Sequence, residues 1–231
     1  MLPTSVFDVF KKSCCLDTIC LGNAHQHALN CPSFVVSLFV SACSIGINNN
    51  ETEFLTGGYD PTWNANLTSV QAVSFTSASI AIAYTTPFVG GILADGFTGE
   101  FWAIVIGISV FYLPGLLLIA LSTFPGLLGP TFNITALKWG MLGLMPTGTG
   151  FIKPLVNVFG AKQYHPVVQS TLIEPYYVNF YMVINVGSLV GGFMIALVAE
   201  KSDEIAFFIP FVAMCCGFLL FLCLSPRYVK R

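Results

Sequence analysis

Phe101-Trp-Ala-Ile-Val-Ile-Gly-Ile-Ser-Val-Phe-Tyr-Leu-Pro-Gly-Leu-Leu-Leu-Ile-Ala-Leu-Ser122 is an unbroken run without a charged side chain. An α-helix climbs about 1.5 Å per residue, so roughly 20 such residues match the hydrocarbon thickness of a bilayer. The rest of the chain has the same character. Of its 231 residues, 9% are charged, 55% are hydrophobic, and the mean hydropathy is +0.78. Soluble domains carry about 25% charged residues. A water-soluble fold could not clothe its surface with so few, and the expected class is an all-α integral membrane protein. The net charge of −2 argues against a nucleic-acid partner, which needs a basic face.

The same criterion gives six spans, at about 33–47, 69–94, 101–122, 137–160, 176–199 and 206–226. The first is short and rich in Ser and Cys. Ahead of it lies a tail, 1–32, and behind the sixth a basic end, 227–231. No secretory signal peptide is evident, because the first apolar run begins after about thirty residues. Residues 48–66 cluster Asn, Gly, Asp and Pro, residues 123–136 hold Pro125, Gly126, Gly129 and Pro130, and residues 161–175 contain His165-Pro166 and Glu174-Pro175, so all three are expected to be connections. Six spans with both ends inside fit half of a transporter built as three plus three helices.

Orientation follows from two signals. With the N-terminus in the cytoplasm, the inner segments carry Lys11, Lys12, Lys162, Arg227, Lys230 and Arg231, and the outer ones only Lys138 and Lys201. The three Asn-x-Thr acceptor sites, Asn50, Asn66 and Asn133, all fall in segments this topology puts outside, as glycosylation requires. A multi-pass protein with both ends cytoplasmic is expected, in the plasma membrane or else a vacuolar or other endomembrane.

Lys153 lies deep inside the fourth apolar segment, whose one other charge, Lys138, is at its edge. A cation at bilayer depth costs on the order of 3 kcal/mol or more, so it is expected to face a polar cavity or a partner, where it can exchange a proton or hold a carboxylate. The other reading is a lysine snorkelling toward the near helix end. Gly148 and Gly150 remove bulk and let a neighbouring helix approach, and Pro154 is expected to bend the helix.

Three stretches, in order, carry a resemblance. They are Tyr84-Thr-Thr-Pro-Phe-Val-Gly-Gly-Ile-Leu-Ala-Asp95; Gly148-Thr-Gly-Phe-Ile-Lys-Pro154, followed by Val158-Phe-Gly-Ala-Lys-Gln163; and Phe180-Tyr-Met-Val-Ile-Asn-Val-Gly-Ser-Leu189. Together they resemble the proton-dependent oligopeptide transporters, a branch of the major facilitator superfamily. The resemblance covers about residues 69–231, the N-terminal half of that family's twelve-helix unit, and implies the corresponding six-helix bundle. It implies that Lys153 faces the central cavity, taking part in peptide recognition and proton coupling, and that Tyr84, Tyr181 and Asn185 surround the peptide. Tyr181 and Asn185 are four apart and share a helix face. Their alternative roles are an aromatic belt and helix–helix glue.

The resemblance also assigns Asp95, in Gly91-x-x-x-Asp95-x-x-x-Gly99, to a latch between bundles. Glu100 stands where Arg or Lys is expected, which leaves a carboxylate serving a helix N-terminus as the competing role. Gly187-Ser-Leu-Val-Gly191 is a GxxxG, expected to pack helices within the chain, with a dimer seam as the alternative. Cys14, Cys15, Cys20, His25, His27 and Cys31 fit no zinc spacing, and no metal or cofactor is expected. Gly148-x-Gly150 lacks the strand context of a nucleotide loop. The family's Glu-x-x-Glu-Arg element of the first helix has no counterpart at 33–47, and no Arg precedes Arg227.

The resemblance thus implies proton-coupled transport of di- and tripeptides or oligopeptides by part of a transporter, with peptide, protons and the bilayer as partners. A second six-helix bundle or a second copy would complete it. Transport of nitrate or another small anion, and a non-transporting scaffold or regulator, stay open. No paired catalytic constellation points to an enzyme.

Overall fold

The computed structural model describes residues 24–57, 63, 65–165, 167, 169–225 and 228; for 24–32, 48–53 and 203 it describes the backbone alone. Among the described residues the chain is helical and has no strand. It forms six rods. The first is α1 (Ala24–Thr56). The second joins α2 (Ser69–Thr85), α3 (Pro87–Leu93) and a π-helical turn (Ala94–Thr98). The third joins α4 (Gly99–Ile106), a π-helical turn (Gly107–Tyr112) and α5 (Leu113–Thr123). The fourth joins α6 (Ile134–Lys138), a π-helical turn (Trp139–Leu144) and α7 (Met145–Ala161). The fifth is α8 (Ser170–Ala199) and the sixth α9 (Asp203–Cys223).

Ser69–Thr123, Ser170–Ala199 and Glu204–Cys223 are each long and apolar enough to cross a membrane, and Ser33–Ile47 is a shorter apolar stretch. Ser69–Thr123 would measure about 80 Å as one helix, more than twice a bilayer core. It is broken at Gly99, whose φ of 76° and ψ of 159° lie where a side chain is excluded. That one residue folds the second and third rods against each other without a loop.

The helix starts are written locally. Thr68 and Gln71 form a reciprocal capping box, at 3.4 and 3.1 Å. Asn133 accepts from the Ala136 amide at 3.1 Å, and Ser202 from the Ile205 amide at 3.4 Å.

The first rod corrects two expectations. It begins at Ala24, inside the expected tail, and continues through the polar residues 48–56 that were expected to be a connection. No Pro or Gly interrupts that stretch. Phe54 and Leu55 are buried at its end, Phe54 against Phe132 and Phe207. Gly57, at φ 84°, then terminates it. The fifth rod starts before Pro175, not after it. Pro154 lies within a helix that continues through it.

Rods one and five cross most closely. A methyl on Gly187 would sit 2.7 Å from the Leu38 carbonyl oxygen, and one on Gly191 would overlap the Ala42 backbone. The GxxxG face is buried inside the chain, so it is not a free dimer seam. Tyr112, fully buried, ties rod three to rod one: its hydroxyl donates to the Val40 carbonyl at 3.3 Å and lies 3.3 Å from Ser44 Oγ. Cys43 Sγ donates to the Pro210 carbonyl at 3.4 Å, and Ser79 Oγ to Met141 O at 2.8 Å. Aromatic clusters close both ends. At one end Trp63 donates to Ser122 O at 3.2 Å and meets Phe132 edge-on. At the other, Phe101, Phe159, Phe221 and Tyr228 stack together.

Candidate functional site

The fourth rod is positioned by its glycines. A methyl on Gly148 would lie 2.7 Å from the Tyr112 amide nitrogen, and one on Gly150 would lie 2.7 Å from Thr86 Cβ and 2.9 Å from Ala83 O. Rod four is therefore drawn onto rods two and three one turn before Lys153. Rods two and four run parallel here, with Gly90 beside Phe151 and Thr86 beside Gly150, so Tyr84 lies nearer the level of Gly148 than that of Lys153.

Lys153 is exposed on this bundle, and among the described residues it makes no ion pair or hydrogen bond. Tyr84 is 83% exposed and Tyr181 59%. Asn185 is exposed and donates to the Tyr181 carbonyl at 2.9 Å. Tyr181 and Asn185 share one face of rod five. No hydrogen bond or ion pair joins that pair to Lys153 or Tyr84 among the described residues. The faces bearing the four residues are uncovered, whereas the glycine faces of the same rods are buried.

Asn157 was not anticipated. It lies one turn after Lys153 on the same helix face. Its main-chain carbonyl accepts the Tyr176 hydroxyl at 3.2 Å, and Gly160 leaves room for that ring, which pins rod five to rod four there. Its side-chain Oδ1 is buried without a hydrogen-bond partner. An amide one helical turn from a lone lysine was the available sequence signal.

Asp95 is exposed in the turn between rods two and three and makes no ion pair among the described residues. The paired carboxylate is Glu100. It is 8% exposed, stands in the first turn of α4, and binds Lys162 at the C-terminal cap of α7. The latch and the helix-terminal role are both expectations for Asp95; the carboxylate in the first turn of α4 is Glu100.

Asn66 is exposed at φ 49°, and Asn133 is half-buried with its Oδ1 engaged in the α6 cap. The side chain of Asn50 lies outside the described residues, as do Cys14, Cys15, Cys20 and the side chains of His25, His27 and Cys31. Among the described residues no group of three His, Cys, Asp or Glu could hold a metal.

The chain is 35% identical over 162 residues to Peptide transporter family 2 of Caenorhabditis elegans, covering 66% of this chain and 20% of that protein. It is 30% identical over 175 residues to Solute carrier family 15 member 2 of Oryctolagus cuniculus, covering 73% and 23%. It thus spans about a fifth of the length of these relatives. The fold is similar to the crystal structure of the POT family transporter PepTSo, with a TM-score of 0.77 at 23% identity, over 91% of this chain and 39% of that one. The family model for the POT family matches residues 101–231, more than half of the sequence and including the lysine segment and the fifth rod. The chain is an integral membrane protein that belongs to the POT family.

Proposed function

We propose that this chain is one six-helix bundle of a proton-coupled peptide transporter, and that Lys153, Tyr84, Tyr181 and Asn185 form its share of a peptide site. The observation that carries this is where the polar groups lie. A lysine, an asparagine and two tyrosines occupy uncovered faces of rods two, four and five, while the packing faces of those rods are closed by small residues. Hydroxyls, a carboxamide and an ammonium recognise what peptides share, the backbone and the carboxylate, and tolerate varied side chains. Lys153 holds the carboxylate and exchanges the coupled proton. A second six-helix bundle or a second copy supplies the opposing wall, because alternating access rocks one bundle against another. Asp95, exposed and without an ion pair among the described residues, suits a latch to that partner. The basic bias of the expected inner segments supports cytoplasmic ends at a plasma or vacuolar membrane. Exposed Asn66 is the acceptor best placed for a glycan, ahead of the helix-capping Asn133.

The test is uptake of a labelled dipeptide into vesicles, with and without an inward proton gradient. It uses the chain alone and the chain co-expressed with, or fused to, a second bundle from a POT family member. Gradient-driven uptake that disappears in Lys153→Ala, with insertion and monodispersity intact, is the expected result. No uptake in any arrangement, or uptake indifferent to Lys153, would sink the proposal.

A further inference from the structure

The fourth rod carries two polar groups one turn apart, and each has what the other lacks. Lys153 is exposed, offers three N–H donors, and makes no hydrogen bond or ion pair among the described residues. Asn157 Oδ1 is buried and has no hydrogen-bond partner. Buried acceptors are nearly always satisfied, so an open one marks a place for a donor. Other donors nearby are committed. The Tyr176 hydroxyl donates to the Asn157 main-chain carbonyl at 3.2 Å, Thr149 Oγ1 to the Met145 carbonyl at 2.9 Å, and Gln163 Nε2 to the Phe159 carbonyl at 3.2 Å. Residues four apart on a helix are neighbours, and the Cα–Cβ bond of Asn157 tilts back toward the turn of Lys153. The Tyr176 bond, with its ring seated on Gly160, holds this end of the rod, so the amide is presented from a fixed backbone.

No acidic residue occurs at 33–47, and no carboxylate pairs with Lys153 among the described residues. We propose that Asn157 is the positioning residue of Lys153: between peptides its Oδ1 accepts from the ammonium, and the arriving peptide carboxylate draws the ammonium away. This rests on the role of Lys153 proposed above and deepens it. A carboxylate makes the stronger bond, charged on both sides, so the exchange runs toward the substrate. A neutral amide suits this task in a way that an acid does not. It holds the cation without neutralising it, and so does not compete with the peptide as a resident carboxylate would. Its NH2 end can also donate to the amine once the proton has left, so one side chain serves both protonation states of the lysine.

Reductive methylation of Lys153 by formaldehyde and cyanoborohydride tests the pairing in the purified full chain in detergent. Peptide mass spectrometry reads the rate, with Lys138 as internal reference. Only the neutral amine reacts. A hydrogen bond from a charged donor is a strong one, and with a discount for the exposure of Lys153 its loss in Asn157→Leu should speed the reaction about 3–10-fold. Asn157→Asp, of nearly the same shape, should slow it below the parent, because a neighbouring carboxylate favours the ammonium. Opposite shifts from one position are not what a packing defect produces. In the chain fused to a second bundle, Asn157→Asp should raise KM for a dipeptide more than it lowers kcat. Equal Lys153 rates in the three proteins, shifts of the same sign, or a change shared by Lys138 would overturn the inference. Methylation needs no transport, so opposite shifts would support the pairing even where dipeptide uptake fails. Lys153-dependent uptake with equal methylation rates would sink the pairing and leave the peptide reading standing.

Discussion

Breaking the Glu100–Lys162 pair should loosen the end of the bundle where rods three and four meet, and the polarity of the pair should matter. Glu100 is 8% exposed, but the Lys162 side chain is 54% exposed, so the pair lies between two regimes. Exposed pairs contribute about 0.2–1 kcal/mol, and stripping the partner from a fully buried charge costs about 3–5 kcal/mol. Solvent at Lys162 screens the interaction, and about 1–2 kcal/mol is the expected cost of Lys162→Met. Each member also suits its helix end, the acid at an N-terminus and the base at a C-terminus, for about 0.3–1 kcal/mol apiece. A double exchange, Glu100→Lys with Lys162→Glu, restores the pair but opposes both dipoles. Each dipole contribution then changes sign, a swing of about 0.6–2 kcal/mol apiece, so the double exchange should end at least about 1 kcal/mol below the original. The assay is the thermal unfolding midpoint in detergent, where 1–2 kcal/mol corresponds to roughly 2–8 °C. Single variants that unfold with the parent would refute the pair's contribution. A double exchange matching the parent would refute the dipole part.

Further outcomes follow from the packing. Asn157→Leu removes a buried acceptor that lacks a partner, so it should leave stability equal or raise it by about 1 kcal/mol while reducing gradient-driven uptake; a destabilised protein would show that Oδ1 is satisfied. Gly191→Leu drives a side chain into the Ala42 backbone and should cost about 3 kcal/mol or prevent accumulation in the membrane, as read by fluorescence-detected size exclusion; normal yield would contradict the crossing of rods one and five. Tyr112→Phe deletes a hydroxyl placed between Ser44 and the Val40 carbonyl, with an expected loss of about 1 kcal/mol in the same unfolding assay, and no loss would show those contacts to be idle.

The fold was legible where it follows from solvent. Charge-free runs such as 101–122 say where the chain crosses a bilayer, because no other environment suits them. The end of rod one was illegible for the converse reason. Residues 48–56 are polar enough to be read as a connection, yet Phe54 and Leu55 find burial against residues far off in sequence, and that burial carries the helix three turns on. The glycines were half legible. The sequence marks Gly187 and Gly191 as a smooth face, but only the tertiary structure names rod one as what lies on it.

The site was legible as a set of residues and not as an arrangement. Lys153 announces itself through the cost of a cation at that depth, and Tyr181 and Asn185 through their spacing. The rods that carry them are held by long-range contacts such as Gly150 on Thr86, which no local pattern encodes. The acidic turn makes the same point in the opposite direction. By resemblance, Glu100 was a departure that weakened a latch. In three dimensions the acid is answered by Lys162, sixty-two residues away, and each charge sits at the helix end whose dipole favours it. The substitution therefore serves to hold rods three and four together within the bundle. Among the described residues Asp95 is left without an ion pair at the same turn.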